Sequence, residues 1–224
     1  MKSILIIIVA CLWSLSLSAQ EKTPLERSIE QQGFVDLQTV DASIPVDLMY
    51  KKADNFTGKI LYTDLNHAYL HPEAAQALKK AQKELKRLRP DLSLKVYDAA
   101  RPMRVQQRMW NTVAGTSKNI YVSNPKNGGG LHNYGLAVDI TLCDAATGDS
   151  LHMGTKIDFM GKLAHVRAEA EMLQKKKISK EAIENRKLLR KAMAAGGFKV
   201  LATEWWHFNL KSRAVARANY KTIK

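Results

Sequence analysis

Two short segments concentrate side chains that could do chemistry together: Gly130-Leu131-His132-Asn133-Tyr134-Gly135-Leu136-Ala137-Val138-Asp139, and Glu204-Trp205-Trp206-His207-Phe208. Two imidazoles and one carboxylate are borderline ligands that suit Zn²⁺ held by three protein bonds with one position open. His132 falls in a Gly-flanked loop, Asp139 on the polar face of the strand that follows, and His207 on a separate strand about 70 residues later. Glu204 precedes His207 by three residues, so a local bend sets its carboxylate beside the open position. Zn²⁺ lowers the pKa of its water to about 7, and a carboxylate there can take the proton. A third segment, Tyr97-Asp98-Ala99-Ala100-Arg101-Pro102, supplies Arg101, always charged and suited to stabilising an oxyanion. Each residue alone has a bland reading, and His67, His71, His152 and His165 are read that way, with Trp205 and Trp206 as core and pocket wall. The conjunction of His132, Asp139, Glu204 and His207 predicts one metal ion per chain.

These side chains need a frame to hold them. Pro72 to Arg89 reads as a helix, with Pro72 in its first turn and Leu78, Ala81, Leu85 and Leu88 repeating on one face until Pro90 stops it. Leu92 to Tyr97 alternates as a strand, and Met103 to Val113 reads as a second helix. After the turn-rich stretch Ser123 to Gly130, Leu136, Val138, Ile140 and Leu142 share one strand face, opposite Ala137, Asp139 and Thr141. A helix from Ser179 to Ala195 takes Ser179 as N-cap, carries Glu181 in its first turn and ends at Gly196-Gly197. Phe198–Leu201 and Glu204–Leu210 read as a closing pair of strands. Helices gathered at the two ends of a small, mostly antiparallel sheet make an α+β domain.

The chain has 224 residues, 46% of them hydrophobic and 25% charged, which excludes collagen-like, low-complexity and wholly disordered classes. Residues 1–19 read as a signal peptide: Lys2, a short apolar run from Ile4 to Leu17, then Ser18-Ala19 ahead of polar sequence. Cleavage after Ala19 leaves a single domain over 20–224, exported, to a periplasm in the simplest case, with no transmembrane span. The rival is lipoprotein processing at Cys11, against which the apolar run continuing past Cys11 argues. Cys143 then stands alone, reads as a small buried hydrophobe and excludes an intramolecular disulfide. A net charge of +14 favours anionic partners. Export points that charge at an anionic cell wall rather than nucleic acid, and the lysines and arginines spread over helix faces read mainly as solvated surface.

Taken together, the motifs resemble those of the zinc D-Ala-D-Ala metallopeptidases, whose signature is Ser-x-His-x-x-Gly-x-Ala-x-Asp followed much later by Glu-x-x-His. The sequence is most similar to the D-alanyl-D-alanine dipeptidase branch, known from vancomycin resistance. Tyr50 ahead of Asp54-Asn55-Phe56-Thr57-Gly58, Asp98-x-x-Arg101-Pro102, and Met153-Gly154-Thr155-Lys156-Ile157-Asp158-Phe159-Met160 match as well, so the anchors run from about residue 47 to 210. The resemblance implies the hedgehog-like fold of that family, zinc ligands at His132, Asp139 and His207, Glu204 as general base and Arg101 as stabiliser of the polarised carbonyl. It also implies that Asp158 pairs with the substrate's free ammonium, with Tyr50 at the same end of the pocket. A longer peptide would leave that acid facing an uncharged amide, which enforces dipeptide length.

The expected activity is therefore hydrolysis of the D-alanyl-D-alanine dipeptide. The alternatives are D,D-carboxypeptidase or endopeptidase trimming of peptidoglycan stem peptides, and a non-catalytic zinc-stabilised wall-binding module, against which Glu204 and Arg101 count. One position departs from the signature: its serine is Gly130 here, which bears on substrate recognition and not on the metal.

Overall fold

Local signals start the elements, and tertiary contacts decide where they stop. The computed structural model describes residues 21–224, so the signal segment 1–19 and Cys11 lie outside the described residues. Helix α1 (Pro24–Gln31) begins with Pro24 in its first turn and a reciprocal cap. Thr23 Oγ1 accepts from the Glu26 amide at 3.2 Å, and Glu26 accepts from the Thr23 amide at 2.9 Å. Next come β1 (Val35–Asp36), α2 (Leu37–Val40) and a 3-10 turn, Met49–Lys51, that carries Tyr50. Strand β2 (Tyr69–Leu70) pairs antiparallel with β1 and leads into α3 (Pro72–Leu88). Helix α3 stops one residue before its expected end, because Pro90 forces Arg89 out of the helical region, to φ −146° and ψ 88°.

Strand β3 (Leu92–Asp98) and helix α4 (Met103–Val113) follow, then β4 (Ala137–Asp144) and the short α5 (Glu169–Gln174). Helix α6 (Lys180–Ala195) starts at the expected cap, where Ser179 Oγ accepts from the Ala182 amide at 3.0 Å. The chain closes with β5 (Lys199–Leu201), β6 (Glu204–Asn209) and α7 (Arg213–Asn219). The larger sheet has the order β3-β4-β6-β5, antiparallel throughout. This is the α+β architecture expected, with one correction: α3 and α6 do not sit at the ends of the sheet. They pack on each other and against β3, β4 and β5, because their Leu- and Ala-rich faces need the broad apolar side of the sheet to escape water.

Strand β4 is buried on both sides. Val138, Ile140 and Leu142 enter the main core, whereas Asp139 lines a cleft and Thr141 a second cavity on the alternate face. Cys143 is fully buried, as expected, and burial pushes its thiol up. The lysines of α3 and α6 are mostly solvated, but Arg190 is not: it is half-buried and makes a two-pronged pair with Glu169 at 2.9 and 2.8 Å. Among the described residues no helix is long and apolar enough to cross a membrane.

Candidate metal centre and active site

Register brings two of the three donors together. In the β4–β6 ladder Asp139 lies directly opposite His207, and the 3-10 turn Leu131–Tyr134 adds His132. His132 Nε2 is 3.1 Å from His207 Nδ1 and 3.3 Å from Asp139 Oδ1, and His207 Nδ1 is 3.0 Å from Asp139 Oδ1. The other ring nitrogens are taken. His132 Nδ1 donates to the Ala99 carbonyl at 2.7 Å, and His207 Nε2 donates to Asn209 Oδ1 at 2.9 Å. Those two acceptors fix both tautomers, so the three inward atoms are bare lone pairs.

Lone pairs at that spacing repel unless a cation lies among them. A tetrahedral ion with ligands at 2.0–2.1 Å would hold them about 3.3 Å apart, so the residues fit zinc. Burial opposes the Asp139 charge, but the two imidazoles beside it hold its carboxyl well below the usual carboxylate range.

The His132 turn is held from several sides. Its backbone carbonyl accepts from the Arg101 amide at 3.0 Å, and the buried Asn133 side chain donates to the Arg101 carbonyl at 2.7 Å. Near the C-terminus, Ile223 is fully buried and its amide donates to the Asn133 carbonyl at 2.8 Å. The turn closes on Gly135 at φ +63°, where a Cβ would lie 2.8 Å from the His71 amide nitrogen and 2.7 Å from the Phe34 ring; glycine is required there on both counts.

Glu204 and His207 would point to opposite faces of a regular strand, being three residues apart. The bend comes from the β5–β6 ladder, where Val200 pairs with Phe208 but Leu201 pairs with Glu204. The three intervening residues of β6 bulge out, and both Glu204 and His207 turn into the same cleft. Glu204 is 8% exposed, and burial raises its carboxyl to about 8; His207 pulls the value down while Asp139 and Asp158 push it up.

Arg101 is held by an acid to which the sequence reading assigned no role. Asp98, 0% exposed, accepts from Arg101 Nε at 2.9 Å, from Arg101 Nη2 and from the Tyr62 hydroxyl at 2.5 Å. A bulge in β3 between Val96 and Asp98 sets Asp98 opposite Asp139. Arg101 Nη1 donates to Gln106 Oε1 at 2.9 Å. A guanidinium has five N–H donors, so these hydrogen bonds leave two, with Nη2 also 3.6 Å from Asp139 Oδ2. Across the cleft the Tyr50 hydroxyl lies 3.1 and 3.0 Å from the two Asp158 carboxylate oxygens. Burial, with the Asp139 charge adding to it, raises Asp158 to about 7, against the Tyr50 hydrogen bond.

The cleft measures about 290 Å³, and all seven residues singled out in the sequence line it: Tyr50, Arg101, His132, Asp139, Asp158, Glu204 and His207. That is the small end of ligand pockets. Trp206 forms part of its wall and Trp205 lies under the Arg186 guanidinium, so both tryptophans have the places expected of them. His67, His71, His152 and His165 lie outside the cleft. The sequence reading missed the supporting residues Tyr62, Asp98, Gln106, Asn133 and Asn209. Two left a trace: Asp98 stands within the Asp-x-x-Arg-Pro match, and Asn209 is two residues beyond His207, on the same strand face.

Three converging donors, a raised carboxyl beside them and a partly committed guanidinium place the molecule among the metallopeptidases. The D-ala-D-ala dipeptidase description of the peptidase M15 family matches residues 30–224. The D-alanyl-D-alanine dipeptidase of Escherichia coli (strain K12) is 33% identical over 181 residues, covering 81% of this chain and 86% of that protein. The D-alanyl-D-alanine dipeptidases of Enterococcus faecium and Streptomyces coelicolor are 29% and 30% identical, each over 80% of this chain and 92% and 91% of their own length. The chain belongs to the peptidase M15 family.

Proposed function

We propose that this protein hydrolyses the dipeptide D-alanyl-D-alanine to two D-alanines with one zinc ion per chain. The observation that carries the reading is the pairing, in one small cleft, of the His132–Asp139–His207 triangle with the Asp158–Tyr50 pair. The names of the relatives support it. Zinc held there supplies Lewis acidity, polarising the scissile carbonyl and acidifying a water. Glu204 takes the proton of the attacking water and passes it to the departing amine; its low-dielectric setting keeps it basic enough to do so. The two uncommitted Arg101 N–H groups meet the charge that develops on the carbonyl oxygen. Asp158, steadied by Tyr50, receives the substrate ammonium. Together with the signal-like residues 1–19 and the charge of +14, the reading places this activity outside the cytoplasm, at an anionic wall.

D-alanine release from D-Ala-D-Ala and from a stem pentapeptide ending in D-Ala-D-Ala tests the proposal. Dipeptide hydrolysis should dominate; release mainly from the pentapeptide would make the protein a wall-trimming carboxypeptidase instead. Asp158 adds a pH signature. An ammonium pairs only with the ionised acid, so KM for the dipeptide should rise as pH falls through the range in which Asp158, held above the usual carboxylate range by burial, takes up its proton, by up to tenfold per pH unit. Asp158→Asn should lower dipeptide kcat/KM by roughly 10²-fold and flatten that slope. Equal losses on dipeptide and pentapeptide would remove the length-gating role.

A further inference from the structure

A dipeptide is a zwitterion, and the assignments above meet its ammonium but not its carboxylate. We propose that Arg213 and the Ser123 hydroxyl form the carboxylate-binding end of the cleft, and that Gly130 lacks a side chain to leave Ser123 its place. This rests on the dipeptidase reading.

Topology puts the two charges at opposite ends. The segment leading to Asp158 is tied to the start of β6, where Trp205 Nε1 donates to Thr155 Oγ1 at 2.8 Å. Beyond the far end of β6 the chain reaches Arg213, whose Nη2 donates to Ser123 Oγ at 3.1 Å. His207 lies between them on the strand, and Asp158, Ser123 and Arg213 all line the one cleft. A substrate laid across the metal triangle therefore has an acid on one side and a cation on the other.

Arg213 is the cation available there. Arg101 is paired with Asp98 and its remaining N–H groups are assigned to the scissile carbonyl, and Lys211 pairs with Glu73 at 2.8 Å. Arg213 makes no ion pair among the described residues, and Ser123 is its hydrogen-bond acceptor there. Since that hydroxyl accepts from Arg213, its own proton is free to point at a ligand, so guanidinium and hydroxyl together offer a carboxylate several donors. Ser123 is also pre-positioned: its carbonyl accepts from Gln106 Nε2 at 2.8 Å, and Gln106 in turn accepts from Arg101.

Gly130 lies against Ser123. Its backbone is extended, at φ −106° and ψ 178°, a conformation open to any residue, so backbone geometry does not require glycine. Space is tight instead: a Cβ there would lie 3.0 Å from Ser123 Oγ and 3.3 Å from Ser123 Cβ, close enough to push the Ser123 side chain aside by a few tenths of an ångström. A side chain at 130 would therefore displace the Ser123 hydroxyl from its present position.

The test compares D-Ala-D-Ala with its C-terminal amide on the zinc-loaded wild type, Arg213→Met and Ser123→Ala. Wild type should favour the free acid. Arg213→Met should cut kcat/KM for the acid by about 10- to 100-fold, mainly through KM, and leave the amide within twofold. Ser123→Ala should do the same more weakly, by roughly 3- to 10-fold, and Gly130→Ser should resemble it. An acid-to-amide preference unchanged by Arg213→Met, in an enzyme that still cleaves the dipeptide, overturns the carboxylate assignment alone. A wild type that releases no D-alanine from D-Ala-D-Ala overturns the dipeptidase reading and this assignment with it.

Discussion

With Glu204 replaced by glutamine, kcat for D-Ala-D-Ala should fall by about 10³-fold while one zinc per chain remains bound. The substitution keeps shape and volume and removes only the ability to accept a proton, a function whose loss typically costs 10²–10⁴-fold. Glu204 is not one of the three converging donors, so metal content measured on the purified variant should match wild type. A second consequence has the opposite sign. Burial raises this carboxyl from 4.5 to about 8, so the folded state favours the protonated form. As pH climbs from about 4.5 through 8, the unfolded chain releases that proton more readily than the fold, and the metal-free wild type loses stability. Glu204→Gln has no proton to lose. At pH 9 the metal-free variant should therefore unfold at a higher temperature than metal-free wild type, the trade expected where function keeps a charge in a dry site. Full turnover in Glu204→Gln would mean that another group is the base.

Asp98→Ala should be the costliest change outside the metal triangle and its base. Asp98 is the acid against which Arg101 is buried, and it also accepts from Tyr62. Burial opposes the Arg101 charge, but Asp98 together with Tyr50, Tyr62 and Asp139 outweighs it and holds the guanidinium well above its ordinary value. Deleting the acid leaves a buried cation that cannot shed its proton with only the more distant Asp139 carboxylate, at 3.6 Å, a defect worth about 3 kcal/mol. For a chain of this length that is a fall of roughly 10 °C in the unfolding midpoint. Tyr62→Phe, which removes one donor and leaves the ion pair, should cost only about 1 kcal/mol. The double variant Asp98→Leu/Arg101→Met should be more stable than Asp98→Ala, since it leaves no buried unpaired charge, only the Tyr62 hydroxyl and Gln106 Oε1 without their partners. Denaturant unfolding of the four proteins checks the order. An Asp98→Ala protein as stable as wild type would show that Arg101 is solvated and free of the acid.

Long periodic elements are legible in the sequence itself. Helices α3, α4 and α6 lie within a residue of their expected bounds, because apolar spacing, an N-cap serine and flanking prolines act within a few residues of chain. The short pieces α1, α2, α5, α7 and the β1–β2 pair did not stand out. Two to eight residues carry too little pattern, and contacts from elsewhere in the chain hold them in place.

The site divides along the same line. Sequence alone determined which residues could do the chemistry: His132 with Asp139, Glu204 with His207, Arg101, and, through the family resemblance, Asp158 and Tyr50. Ligand chemistry depends on residue type, and residue type is written in the chain. Only the tertiary structure decided how those residues meet. The β6 bulge turns Glu204 and His207 to one side, and the β3 bulge sets Asp98 against Arg101. Asn209 and Ala99 choose the imidazole tautomers, and Ser123 and Arg213 come together at the far end of the cleft from 90 residues apart. Each depends on strand register or on a hydrogen bond across the fold, and such contacts leave almost no local pattern, because the partners are chosen by packing rather than by neighbours in sequence.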